Sequence, residues 1–138
     1  MEASGFVDDA ATLKASAIDY SAAHDLAYEV RAFAIIESRE KEHQVGESGR
    51  TYGLLHMHPA TFKHYYGAQM RFAPHVNDTW TEAQIKACAA FLAAQSERDL
   101  ISQAWNLSEA AVFLEHRRNP EYLERWRDVY DKVRGAAK

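Results

Sequence analysis

The sequence predicts a mostly α protein, a compact single-domain helical bundle with one small irregular lobe between residues 40 and 80. Apolar residues recur at helical spacing along most of the chain. Two of its three prolines stand where helices start. The segment from Gln44 to Leu55 gathers Gly, Ser and Glu, the composition of a loop or a short irregular hairpin. At 138 residues one domain can bury a sizeable core without staples.

Each element has its own signal. Asp8 to Tyr20 is expected to be a first helix, with Leu13, Ala17 and Tyr20 on one face. Ala23 to about Glu40 follows, with Leu26, Val30, Phe33, Ile36 and Glu37 at helical intervals. Pro59 to Tyr66 begins on a proline whose missing N–H costs nothing there, and Gly67 can end it. Thr81-Glu82-Ala83-Gln84 reads as a capping box opening a helix to about Ser96, Ala-rich and apolar enough to be the central buried one. Asp99 to Asn106 and Ser108 to Arg117 are two further helices. Asn119 is a good N-cap for a closing helix to Arg134, whose buried stripe is Tyr122, Trp126, Val129 and Val133.

Composition excludes several classes. A net charge of -4 disfavours a dedicated nucleic-acid binder, which would carry a basic face. The C-terminal basic residues, among them Arg117, Arg118, Arg125, Arg127, Lys132 and Arg134, are the solvated face of a helix or a contact for an anionic polymer. No apolar run is long enough for a membrane span of ~20 residues. The start, Met1-Glu2-Ala3-Ser4-Gly5, has neither a basic n-region nor an apolar h-region, so no secretory signal is visible. The lone Cys88 falls in an apolar pattern with Ile85, Phe91 and Leu92, where a small buried hydrophobe is expected rather than a nucleophile.

The chemistry-bearing candidates begin with Glu37, next to Ser38 near the end of its helix. Burial beside Phe33, Ile35 and Ile36, and the negative end of the helix dipole, both disfavour a charged carboxylate, as a general acid needs. Downstream lies Ser48-Gly49-Arg50-Thr51-Tyr52-Gly53-Leu54-Leu55-His56-Met57-His58-Pro59-Ala60-Thr61, where Gly49 and Gly53 allow positive φ or close backbone approach. Ala104-Trp105-Asn106 ends a later helix. His56, His58 and His64 are a conceivable zinc set, but no Cys joins them and His-Glu-x-x-His is absent. They are expected to be polar cleft or surface residues, with no metal and no cofactor. Of the aromatics Tyr52, Phe62, Tyr65, Tyr66, Phe72, Trp80 and Trp105, some would line a sugar site, while Phe62 and Tyr66 are packing.

Taken together, these motifs resemble the lytic transglycosylases and goose-type lysozymes of the lysozyme-like superfamily. The family's Glu-Ser is matched by Glu37-Ser38. Its approximate pattern Ser-x-x-Gly-Ala-x-Gly-Leu-Met-Gln-x-x-Pro-x-Thr is followed in order by Ser48, Gly53, Leu54, Pro59 and Thr61, the last four in register and Ser48 one residue nearer Gly53 than in the pattern. Its Ala-Tyr-Asn is approached by Ala104-Trp105-Asn106, and its closing helix by Tyr122 to Val133. The departures are His56 in place of glutamine, Trp105 in place of tyrosine, and Leu107-Ser108 in place of Ala-Gly.

The resemblance implies a lysozyme-like catalytic domain over residues 1–138 that cleaves the MurNAc-GlcNAc β-1,4 bond of peptidoglycan. Glu37 would act as both general acid and general base, and Ser48, Tyr52, Gly53, Leu54, His56, Trp105 and Asn106 would bind the glycan. It implies a monomer acting on the cell wall or periplasm, phage-encoded or exported without a visible signal, with glycan strands as partner and no nucleic acid. Glu40, Glu42, Glu47 and Asp78 are the candidates for a second carboxylate. A degraded lysozyme-like domain that grips glycan or a protein partner is the alternative. If the tyrosine replaced by Trp105 positions Glu37 in the family, that contact is absent or rerouted here.

Overall fold

The computed structural model describes residues 17–42, 45–46, 51–67, 78–94, 104–108 and 110–136. It is mostly helical with one small two-stranded sheet. The helix expected from Asp8 lies outside the described residues up to 16, and residues 17–20 are not helical.

A 3-10 segment, Ser21–Leu26, opens the described chain, broken by His24 at φ 53°, ψ -125°. The second expected helix therefore starts later than its periodicity indicated. It is α1, Ala27–Ser38, and it is almost fully enclosed: Val30, Ala32, Phe33, Ala34 and Ile35 expose none of their surface. It ends at Ser38 because Arg39 turns left-handed, and the Arg39 and Glu40 N–H groups bond back to Ile35 and Ala34 carbonyls. Glu40 is left-handed too, at φ 62°. Two such non-glycine residues in a row are uncommon.

The irregular lobe contains a hairpin of β1, Val45–Gly46, and β2, Thr51–Tyr52, paired antiparallel with Val45 opposite Tyr52 and Gly46 opposite Thr51. A tight turn through Gly53 to His56 follows, closed by reciprocal backbone bonds of 3.1 Å between Tyr52 and Met57. α2 spans Pro59–Tyr66, starts on its proline and ends at left-handed Gly67, as the sequence predicts.

α3 is Asp78–Ala93, so the capping-box reading of Thr81 and Gln84 is corrected. Both lie inside the helix and spend their polar atoms on tertiary contacts. Thr81 Oγ1 donates to Glu42 Oε2 at 2.7 Å, and Gln84 reaches the hairpin turn. Residues 104–107 are helical, while 95–103 lie outside the described residues. The helix expected from Ser108 to Arg117 is a single π turn, Ala110–Leu114. Ser108 does cap it, its Oγ accepting from Ala111 N–H. The turn ends where His116 goes left-handed and the Arg118 side chain takes the Val112 carbonyl.

α4, Pro120–Ala136, is capped by Asn119 Oδ1, which accepts from Tyr122 N–H at 3.2 Å. Its buried stripe is the expected one, Tyr122, Trp126, Val129 and Val133. α1 packs against α4, α3 and the 3-10 segment, and α2 packs on α3. At the centre Phe33 lies 5.3 Å from both Trp105 and Trp126, ring centroid to centroid, and Phe91 meets Trp105 edge-on at 5.0 Å. Thus aromatic packing fixes the floor on which the site stands.

Candidate functional site

Glu37 occupies the last turn of α1, 18% exposed: neither sealed in the core nor free in bulk solvent. Periodicity puts it there. Phe33 and Ile35 point inward, Ser38 is buried, and Glu37 falls at the edge between them. Its Oε2 accepts a 2.6 Å hydrogen bond from the Tyr122 hydroxyl on α4. Its Oε1 lies 3.7 Å from His56 Nδ1, within ion-pair reach when the imidazole is protonated but longer than a hydrogen bond.

Tyr122 was visible in the sequence as core and not as a partner of Glu37. The two are 85 residues apart, and no local pattern pairs them. Burial pushes the Tyr122 phenol well above its ordinary value of 10.0, and the Glu37 carboxylate adds to the shift. The hydroxyl therefore stays protonated and is a permanent donor. Trp105 lacks a hydroxyl, yet a tyrosine oxygen does reach Glu37, from α4. Cys88 is fully buried, and burial together with Glu37 holds its thiol protonated, so it is no nucleophile.

The turn carrying His56 is held at several points. Ser38 Oγ–H is shared between the Leu54 carbonyl at 2.6 Å and the Ala34 carbonyl at 3.1 Å. Gln84, with no exposed surface, accepts from Leu55 N–H at 3.0 Å and donates to the Tyr52 carbonyl at 2.9 Å. Gly53 at φ 81° and His56 at φ 46° are both left-handed, with His56 N–H bonded to the Gly53 carbonyl. A non-glycine residue persists in that conformation where its surroundings over-determine it, as these bonds do.

A cleft of about 270 Å³ opens beside this turn. His56, His58, Thr61 and Asn106 supply polar edges, and Met57, Phe91 and Trp105 an apolar wall. Glu37 is not in the lining itself; His56 joins the cleft to it. Of the residues expected to bind glycan, His56, Trp105 and Asn106 therefore come together. Tyr52 and Gly53 frame the turn through their backbone, and Leu54 is wholly buried with its carbonyl taken by Ser38. Ser48, Gly49 and Glu47 lie outside the described residues, as do Phe72 and the side chains of Asp78 and Trp80.

Of the other candidate carboxylates, Glu40 and Glu42 are among the described residues and are engaged elsewhere. Helix α1 does not persist to Glu40, which is held instead by Arg31 Nε at 3.1 Å and the Tyr20 hydroxyl at 2.8 Å. Glu42 accepts from Thr81. Among the described residues no three His, Cys, Asp or Glu side chains are grouped to hold a metal ion. No described helix is long and apolar enough to cross a membrane. The chain matches no family model, no characterised protein and no solved structure.

What this arrangement can do is move a proton. A half-buried carboxylate is oriented through one oxygen by a permanent donor. Its other oxygen faces an imidazole that edges an aromatic-walled cleft.

Proposed function

We propose that this chain is a peptidoglycan-cleaving glycosidase, a lytic transglycosylase or muramidase acting on the MurNAc-GlcNAc β-1,4 bond. One observation carries the reading. Glu37, in the motif-bearing position, stands behind a cleft with an apolar aromatic wall and polar edges, the surface a sugar ring stacks on.

In this reading Glu37 protonates the glycosidic oxygen as the bond to the anomeric carbon breaks. Tyr122 keeps Oε2 occupied, which leaves Oε1 toward His56 and the cleft side. The carboxylate then takes a proton from the attacking hydroxyl. That hydroxyl is water in a hydrolase, or the muramic C6 hydroxyl in a transglycosylase. By analogy with the resembled transglycosylases, one residue serves as acid and then as base, and of the other candidate carboxylates Glu40 and Glu42 are engaged elsewhere.

The test is clearing of a purified peptidoglycan suspension by the wild type and by Glu37→Gln, with co-sedimentation measured in parallel. Clearing lost in the variant, with its circular dichroism unchanged, is the expected result. Mass spectrometry of the fragments then separates anhydro ends from reducing ends. Sedimentation with the wall and no clearing at any pH would favour a glycan-binding domain with a degraded site.

A further inference from the structure

Building on the glycosidase reading, we infer that His56 is a proton-holding partner of Glu37, so that the two side chains keep one transferable proton between them up to neutral pH. His56 acts through Glu37 and is a positioning residue in this scheme.

Several features place the imidazole there on purpose-built geometry. His56 is 16% exposed, so its ring faces both the cleft and the carboxylate. The 3.7 Å gap from Nδ1 to Oε1 shortens to hydrogen-bond length with about 1 Å of movement. The turn that carries it is pinned by Ser38 and Gln84, with a left-handed backbone at the histidine itself. Opposite the ring stands Gly46. A Cβ there would lie 3.0 Å from His56 Cε1 and Nδ1 and 2.8 Å from Thr51 Oγ1. The strand is thus hollowed where the imidazole sits.

The groups around the pair leave His56 the role. From α4, Tyr122 is locked as a protonated donor, with Arg125 acting on that tyrosine. From α3, the Cys88 thiol stays protonated. From the hairpin, Thr51 is a neutral hydroxyl, and His58 edges the same cleft farther along the chain. A carboxylate alone holds its proton to about pH 4.3 and an imidazole to about 6.5. At intermediate pH the pair therefore carries one proton, on either partner.

The cycle balances. Glu37 gives the proton to the leaving oxygen as the C1–O bond breaks, leaving carboxylate and neutral imidazole. The attacking hydroxyl bonds to C1 through its oxygen and returns its proton to the pair.

The experiment records pH–rate profiles on purified peptidoglycan for wild type, His56→Gln and Glu37→Gln. Proton NMR of the His56 ring is followed against pH in wild type and Glu37→Gln. Expected for His56→Gln, measured against that variant's own acidic maximum, is an alkaline limb moved acidward by at least about one unit. That is roughly a tenfold loss at pH 7. In Glu37→Gln the His56 resonances should titrate at lower pH than in wild type, a readout that needs neither activity nor replacement of the histidine. Lysis that fails in Glu37→Gln but keeps its alkaline limb in His56→Gln overturns this inference and leaves the glycosidase reading standing. An unmoved His56 titration overturns it as well. No lysis by wild type at any pH overturns both.

Discussion

Glu37 and Glu40 stand three residues apart, on either side of the point where α1 stops, and the fold treats them oppositely. Each accepts a hydrogen bond from a tyrosine hydroxyl, Tyr122 at 2.6 Å and Tyr20 at 2.8 Å. Beyond that they diverge. Glu40 also meets the Arg31 guanidinium at two points, a charge that does not vary with pH. Glu37 faces an imidazole, whose charge does vary, at the edge of a cleft. The left-handed Arg39 and Glu40 produce the split, because they turn the chain before a further helical residue can form. One glutamate is tied into an ion pair with an arginine, and the other borders an imidazole at the edge of a cleft.

The contrast can be broken most sharply by neutralising each in turn. Glu37→Gln should lower lysis by about 10³-fold, the scale of a lost general acid, while Glu40→Gln leaves the rate within about twofold. Glu40→Gln should instead cost about 1–3 kcal/mol in urea unfolding, because Arg31 loses its partner. If the two variants lose lysis equally, the division of roles is wrong.

Ser38→Ala should cost about 1–3 kcal/mol in the same unfolding assay, since the buried Leu54 carbonyl loses its 2.6 Å donor. Lysis should fall with it, as the His56 turn loosens.

Both tyrosines should make the protein sensitive to alkali. Burial, reinforced by the glutamates, raises Tyr20 and Tyr122 above their ordinary 10.0, as burial raises Cys88 above 9.0. A folded state that keeps these protons is favoured below the unfolded values and loses that advantage as pH rises past them. Above about pH 9–10 stability should fall by about 1.4 kcal/mol per pH unit for each group still protonated. Denaturant unfolding at pH 8 and pH 10.5 checks this. Tyr20→Phe and Tyr122→Phe should each flatten the slope, and Tyr122→Phe should also lower lysis.

The smallest effect is expected from Gly46→Ala, whose added Cβ meets the His56 ring and Thr51 hydroxyl at 2.8–3.0 Å. A few-fold loss of lysis at neutral pH, with at most about 1 kcal/mol lost in unfolding, is the predicted result.

Much of the frame was legible in the sequence because its signals are local. Pro59 and Gly67 bound α2, and the 3.6-residue period of Tyr122, Trp126, Val129 and Val133 gave the buried face of α4. The hairpin falls in the Gly-, Ser- and Glu-rich segment that reads as a loop or a short irregular hairpin. What escaped was long-range. Thr81 and Gln84 have the composition of a helix cap, but their polar atoms serve Glu42 and the hairpin, so α3 begins earlier. The Tyr122 hydroxyl looked like core for the same reason: nothing near it in sequence announces a carboxylate on another helix. The His24 break and the π turn depend on single backbone angles that residue type alone does not set.

The most direct measurement is the rate at which soluble muropeptides are released from purified peptidoglycan by wild type and by Glu37→Gln, on samples with matching circular dichroism. Release by wild type and about a thousandfold less by the variant is what a proton donor at Glu37 predicts. Equal release by the two proteins, or none by either across the pH range, would contradict it.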